Sequence, residues 1–483
     1  MPRRFWIACV LATMIKAPAL ALGASAAQPL GVDDARLLLT RTGFGATPAE
    51  VADFAHLSRH AAVDRLLSAT VTQAVTPPPP ALSATTLLQR PGRNASEEDR
   101  KAARRQQREA DQALRGWWLR EMLVTPSPLT ERMTLFWHGH FATSVQKVRR
   151  APLMYRQNVT LRANAVGNFA TLLHAVSKDP AMLIYLDGVQ NHSGHPNENF
   201  AREVMELFTL GEGHYSETDI KEAARAFTGW SIDRTSGDYM WRPRLHDDGG
   251  KMIFGHSGNF DGDGVLDLIL ARPETAQFIT TELWHEFIAP DTDAAEVARI
   301  AAAFRASGYD IKTVLRALFE SDAFYAQASR ATLVRSPVDV VVGTLHTLDM
   351  LPSATLVYAV ACAGMGQNLF APPNVKGWPG GDAWINSSTL LARKQFLARI
   401  TRADNFGAAP AMNARLPVDG TQREASFDAA RWANAIAPAA GTDAHARALR
   451  MLLPTAAVDG DKITGELPNV VRTAMQDPSY QLE

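Results

Sequence analysis

The sequence predicts an all-α fold: one large globular body of many helices, joined by long Gly/Pro/Trp loops. Three observations lead there. Apolar residues recur at helical spacing in block after block from Thr130 to about Trp230, and again from Val265 to Arg402. Strand-like alternation is scarce, and no repeat of solenoid period is present. Helix starts and stops are written plainly, as in Thr47-Pro48-Ala49-Glu50, where a cap residue is followed by proline at the first helical position.

Taken in order, the chain opens with Arg3 and Arg4, followed by an apolar run from Phe5 to Ile15. Small-x-small sites follow at Ala24-Ser25-Ala26 and Ser25-Ala26-Ala27. This is the layout of a signal peptide over residues 1–27, with the mature chain starting near Ala27 or Gln28 and residing in the periplasm or outside the cell. The apolar run is too short for the roughly 20 residues that span a bilayer, and no later stretch is long and apolar enough. Sec-type export is the expectation, with the twin-arginine route open. Residues 28–95 hold short helices and a stiff Pro77–Pro80 spacer. The main helical domain covers 96–405. It starts with a charged helix from Ser96 to about Met122, whose Leu114, Trp117, Trp118 and Leu119 must dock on the body. Residues 241–260 read as a loop with short strands. Residues 406–483 form an Ala-rich C-terminal segment with a helix near Asp443 to Leu453.

Lys and Arg number 49 against 50 Asp and Glu, a net charge of −1. Such a balance produces no global field to attract nucleic acid or an anionic membrane surface. Of the two cysteines, Cys9 lies in the signal segment, so Cys362 has no internal disulfide partner. Stability must come from a large core, which a chain of this length can bury.

Several blocks carry a family resemblance. They are Leu37-Leu38-Leu39-Thr40-Arg41-Thr42-Gly43-Phe44-Gly45-Ala46-Thr47, Phe136-Trp137-His138-Gly139-His140-Phe141 and Asp179-Pro180-Ala181-Met182-Leu183-Ile184-Tyr185-Leu186-Asp187. Pro196 to Gly211, Ala226-Phe227-Thr228-Gly229-Trp230 and Pro372 to Gly381 complete the set. In these the chain resembles the bacterial family called domain of unknown function 1800, from about Val32 to Arg402. The resemblance implies an exported protein whose partner is a sulfatase-like protein encoded nearby. It implies no reaction and no catalytic residues.

The chemistry has therefore to be read from residues. On a helix from Glu198 to Leu210, Phe200, Ala201, Val204, Leu207 and Phe208 share one face, and Glu198, Asn199, Arg202, Glu203 and Glu206 the other. Carboxylates so close push their pKa values apart and can work as acid and base. The same residues also fit a solvated i,i+4 charge ladder. Asp187 and Asn191 precede this helix and would lie at the rim of such a site. His138 and His140 would reach one ion if Gly139 broke the helix, with His214 joining them and Glu203 or Glu206 supplying oxygen. That mixed N/O set suits zinc, iron or manganese. Packing among Phe136, Trp137 and Phe141 explains the same histidines.

In the Pro372–Trp384 loop, Trp378 and Trp384 can stack on sugar rings, while Asn374, Lys376, Asp382 and Asn386 can hold hydroxyls. Both tryptophans anchoring the core is an equal reading. Glu282-x-x-His285 has the spacing of di-iron bundles but lacks a second copy. Asn259 to Leu270 resembles an EF-hand opening without its final Glu, so a helix-capping turn is expected there. No Walker run is present, so no nucleotide cofactor is expected, and no Gly-x-Ser-x-Gly elbow occurs. The leading expectation is a hydrolase or lyase acting on an extracytoplasmic polymer such as a glycan, with a divalent metal as an option. The alternatives are a non-catalytic accessory protein and a metal-dependent oxidoreductase.

Overall fold

A computed structural model describes residues 28–83, 92, 94–233, 235–401, 432, 435 and 443–483. The expected signal peptide lies outside these residues, as do 406–431, 433–434 and 436–442 of the Ala-rich C-terminal segment. Within them the architecture is all-α: helices pack around one continuous apolar core that includes Trp118, Trp137, Phe141, Phe169, Phe208 and Phe287. The strands form two short antiparallel hairpins, Trp230–Ile232 with Tyr239–Trp241 and Lys251–Ile253 with His256–Gly258. The second lies in the region read as a loop with short strands, and the first precedes it.

Local chemistry places the elements. Thr47 closes a capping box with Glu50 at the start of Pro48–Ala55. Ser96 does the same with Asp99 for the 28-residue helix Glu97–Val124. Three acids in that helix's first turn, Glu97, Glu98 and Asp99, favour its N-terminal dipole end. The outer half of the helix is largely exposed, whereas Leu114, Trp117, Trp118 and Leu119 are buried, as expected. Buried Glu121 accepts the backbone N–H groups of Val75 and Thr76 at 3.0 and 2.7 Å, which ties the chain ahead of the proline spacer to this helix. Asp261 caps Gly262–Ala271 through the Gly264 N–H at 2.9 Å, so the EF-hand-like residues are a capping turn.

Several buried charges are paired or hydrogen-bonded. Arg162 donates to Glu131 at 2.9 Å, both side chains being 1 % exposed, and Trp118 Nε1 donates to the same carboxylate at 2.9 Å. Breaking such a pair typically costs 3–5 kcal/mol, because the remaining charge is left uncompensated. Arg41, fully buried, donates to the carbonyls of Ile288 at 3.0 Å and Glu483 at 3.1 Å. The final residues pair with the segment before Pro337–Thr347: Arg335 N–H donates to Gln481 O at 2.8 Å and Glu483 N–H to Leu333 O at 2.9 Å. This pairing and the helix Leu467–Gln476 were not legible in the sequence, and they bring the last residues beside the helix Pro128–His140.

Candidate functional site

A cleft of about 650 Å³ opens between the helices Pro128–His140 and Pro273–Phe287, the start of Pro337–Thr347, the 375–384 loop and Glu483. Arg132 forms its floor, 5 % exposed. Its Nε lies 2.8 Å from Glu286 and its Nη2 3.4 Å from Glu483, and its Nη1 donates to Asp339. Asp339 serves twice. One oxygen accepts the Ser336 N–H at 2.9 Å in a capping box, and the other takes Arg132.

Three carboxylates converge on one guanidinium, and for two of them, Glu286 and Glu483, burial favours the neutral form. Burial pushes the Glu286 carboxyl upward, with Arg132 opposing and Asp339 reinforcing. Burial and the Asp339 charge raise Glu483 to about 7, although Arg132, Arg335 and Arg41 pull the other way. One helical turn before Glu286, half-buried Glu282 is raised by burial and by the Glu286 charge. No cation in the described residues lowers it. At i,i+4 the two Cβ atoms are about 5–6 Å apart on one helix face. Phe136, Phe278, Trp378 and Trp384 contribute aromatic walls, and His140, His285, Lys376 and Asp382 add polar groups.

Five of the sequence-chosen residues meet in this cleft: His140, Lys376, Trp378, Asp382 and Trp384. Glu203 is not among the residues lining the cleft; burial and the Glu206 charge raise its carboxyl, with Arg202 and Lys376 opposing. The remaining candidates lie elsewhere. The helix Glu198–Glu206 ends earlier than expected, and its polar arc is divided among separate partners. Arg202 donates to Glu217 at 2.8 and 2.9 Å and reaches Glu198 at 3.5 Å, with side chains 35, 66 and 38 % exposed. Glu206 accepts the Tyr215 hydroxyl at 2.7 Å. Asp187 pairs with Lys147 at 2.8 Å. Asn191 is buried and structural, donating to Ala224 O at 3.0 Å and accepting the Asn197 N–H at 2.9 Å. Asn199 is exposed, and Asn374 holds the Lys376 N–H at 2.9 Å within its own turn.

The helix Pro128–His140 runs unbroken through Gly139, contrary to the break expected there. His138 and His140 therefore diverge by roughly 200°. His140 Nε2 lies 3.0 Å from the Phe208 carbonyl, which assigns the proton to that nitrogen, and burial lowers its pKa to about 4. His138 is enclosed by Trp118, Phe370 and Trp378 at 5.2–5.6 Å between ring centres, and burial lowers it to about 3. Neither of its ring nitrogens finds a hydrogen-bond partner among the described residues, nor does the indole N–H of Trp378. His214 is exposed and outside the cleft lining. Among the described residues no group of three or more His, Cys, Asp or Glu is placed to hold a metal ion.

Sequence reasoning missed Arg132, Glu286, Asp339 and Glu483, and it set Glu282 and His285 aside. One signal was available: Glu282 and Glu286 interrupt a helix otherwise facing the core through Ile279, Leu283 and Phe287.

Fold and site define an all-α protein with an acidic, aromatic-walled cleft built on a buried arginine. The chain belongs to the family described as Protein of unknown function (DUF1800), whose model matches residues 37–482. No curated protein and no solved structure matches it. Among the described residues no helix is long and apolar enough to cross a membrane.

Proposed function

We propose that the cleft is the active site of an exported hydrolase acting on an extracytoplasmic glycan, with Glu282 as general acid and Glu286 as its partner carboxylate. One observation carries this reading: a carboxyl raised by burial, without a cation of its own, stands one helical turn from a carboxylate tied to Arg132 in a cleft with aromatic walls. Two carboxyls in unlike environments divide the labour of acid and base. Glu282, facing only a like charge, keeps its proton to higher pH and can deliver it to a leaving glycosidic oxygen. Glu286, drawn toward the ionised form by Arg132, can activate water or stabilise positive charge on the sugar. Aromatic rings suit the apolar faces of sugars. Export rests on the N-terminal charge, apolar run and small-residue site, and N-terminal sequencing of periplasmic protein should find a start near Ala27 or Gln28.

The test is release of reducing ends from a panel of bacterial and plant polysaccharides by wild type and Glu282→Gln. Turnover by wild type and a loss of about 10²–10⁴-fold in the variant are expected. A variant as active as wild type, or a wild type inert on the whole panel, sinks the reading.

A further inference from the structure

Two buried arginines outside the cleft have no counter-charge of their own. Arg36, on the helix Gly31–Thr42, is 5 % exposed, and Arg335, just ahead of Pro337–Thr347, is 7 % exposed. Among the described residues neither guanidinium makes a hydrogen bond or a salt bridge, and the Nε of each is buried without a partner. The carboxylates nearest in sequence are committed elsewhere. Asp33, one turn before Arg36, is gripped by Arg450 at 2.7 and 2.8 Å, and Asp34 pairs with Arg330. Arg335 stands over the buried Tyr480 ring, 4.6 Å from its centre. An aromatic face eases the burial of a cation but supplies no counter-charge.

Shared neighbours bring the two side chains together. Arg41, five residues after Arg36 on the same helix, donates to the Glu483 carbonyl at 3.1 Å. Arg335 pairs through its backbone N–H with Gln481, two residues before Glu483. Burial and then the Arg335 charge lower Arg36 to about 10. A buried cation is costly unless an anion compensates it, and two side by side add mutual repulsion. The guanidinium fork is matched to the oxygens of an oxyanion.

We propose that Arg36 and Arg335 form a binding site for a dianionic oxyanion, a phosphate or sulfate group, whose oxygens accept from both guanidiniums. A dianion matches two uncompensated charges, whereas a carboxylate or a chloride matches one. Arg450 and Arg330, by holding Asp33 and Asp34, keep those carboxylates from closing on the pair. The site is separate from the acidic cleft and does not depend on the glycan reading.

The test is calorimetric titration of the full chain, dialysed into chloride near pH 7.5, where phosphate groups are largely dianionic. The probes are sulfate, inorganic phosphate, glucose 6-phosphate and acetate at constant ionic strength, with thermal melts in the same solutions. At least one of the three dianions should bind once per chain and at least about tenfold more tightly than acetate. At a hundred times its dissociation constant it should raise the melting temperature by about 2–3 °C. Arg36→Met and Arg335→Gln should each weaken that binding at least about tenfold and remove the rise. In chloride alone Arg36→Met should melt no lower than wild type, because it removes an uncompensated buried charge and keeps most of the volume. Tighter binding of the free ions supports an inorganic ligand at this site, and tighter binding of glucose 6-phosphate supports a phosphorylated sugar there. Binding of acetate as tight as that of the dianions overturns the inference, as does no binding by any of them. Unchanged binding in either variant, or a lower melt of Arg36→Met in chloride, overturns it as well.

Discussion

Replacing Arg132 by Met removes one cation and keeps most of the side-chain volume. In the wild type that cation contacts Glu286, Asp339 and Glu483, whose side chains are 30, 7 and 3 % exposed. Breaking a buried charge cluster from one side typically costs 3–5 kcal/mol. At an unfolding entropy of about 2.1 cal/mol/K per residue, a cooperative unit spanning residues 37–482 has an entropy near 1 kcal/mol/K. The melting temperature should therefore fall by about 3–5 °C at neutral pH. The pH dependence separates charge from packing. Glu286 and Glu483 have folded pKa values above their unfolded ones, so their contribution is full below about 4.5 and is lost as pH rises, through about 7 for Glu483. Without Arg132 both rise further, so the penalty of the variant should grow from pH 5 to pH 8 in a differential scanning calorimeter. An equal loss at both values would mean that Arg132 acts through packing, and the electrostatic account of the cleft floor would be refuted.

Arg202→Ala should change stability by about 0.5 kcal/mol or less, because its partners Glu217 and Glu198 are well exposed; a loss above about 2 kcal/mol in urea unfolding would contradict the surface assignment. Glu131→Gln should be far more costly, about 3–5 kcal/mol, since it strands fully buried Arg162 and weakens the Trp118 contact; a near-neutral melt would rule that out. Trp384→Ala should cost about 3–5 kcal/mol, the range for emptying a buried aromatic site, so its stability loss must be measured before any binding loss is read. Cys362 is fully buried and its thiol is pushed upward by burial, so it should resist alkylation in the native protein and react only on unfolding.

The fold was legible because helices announce themselves locally. Thr47, Ser96 and Asp261 are capping residues within four positions of their targets, and apolar spacing identified the docking half of Glu97–Val124. The site was legible only in part. His140, Lys376, Trp378 and Trp384 stand in short segments rich in aromatic or Gly/Pro residues, and Gly377 shows why glycine is required there. Its φ is +81°, and a Cβ would lie 2.4 Å from the Gly139 carbonyl, so the loop can press against the histidine helix only with glycine. The floor was not legible, because Arg132 lies 207 positions from Asp339 and 351 from Glu483. Asp339 also reads locally as a capping-box residue, which it is. The Glu198–Glu206 helix attracted attention through its amphipathic pattern, yet an amphipathic pattern reports which face is outward and not whether a cleft covers it.

The role of Glu282 is tested most directly by comparing wild type with Glu282→Gln on two substrates: the glycan that is turned over, and an aryl glycoside of the same sugar whose leaving group needs no proton. If Glu282 is the general acid, the variant loses about 10²-fold or more on the glycan and less than about tenfold on the aryl glycoside. An equal loss on both, or no loss on either, would contradict the account.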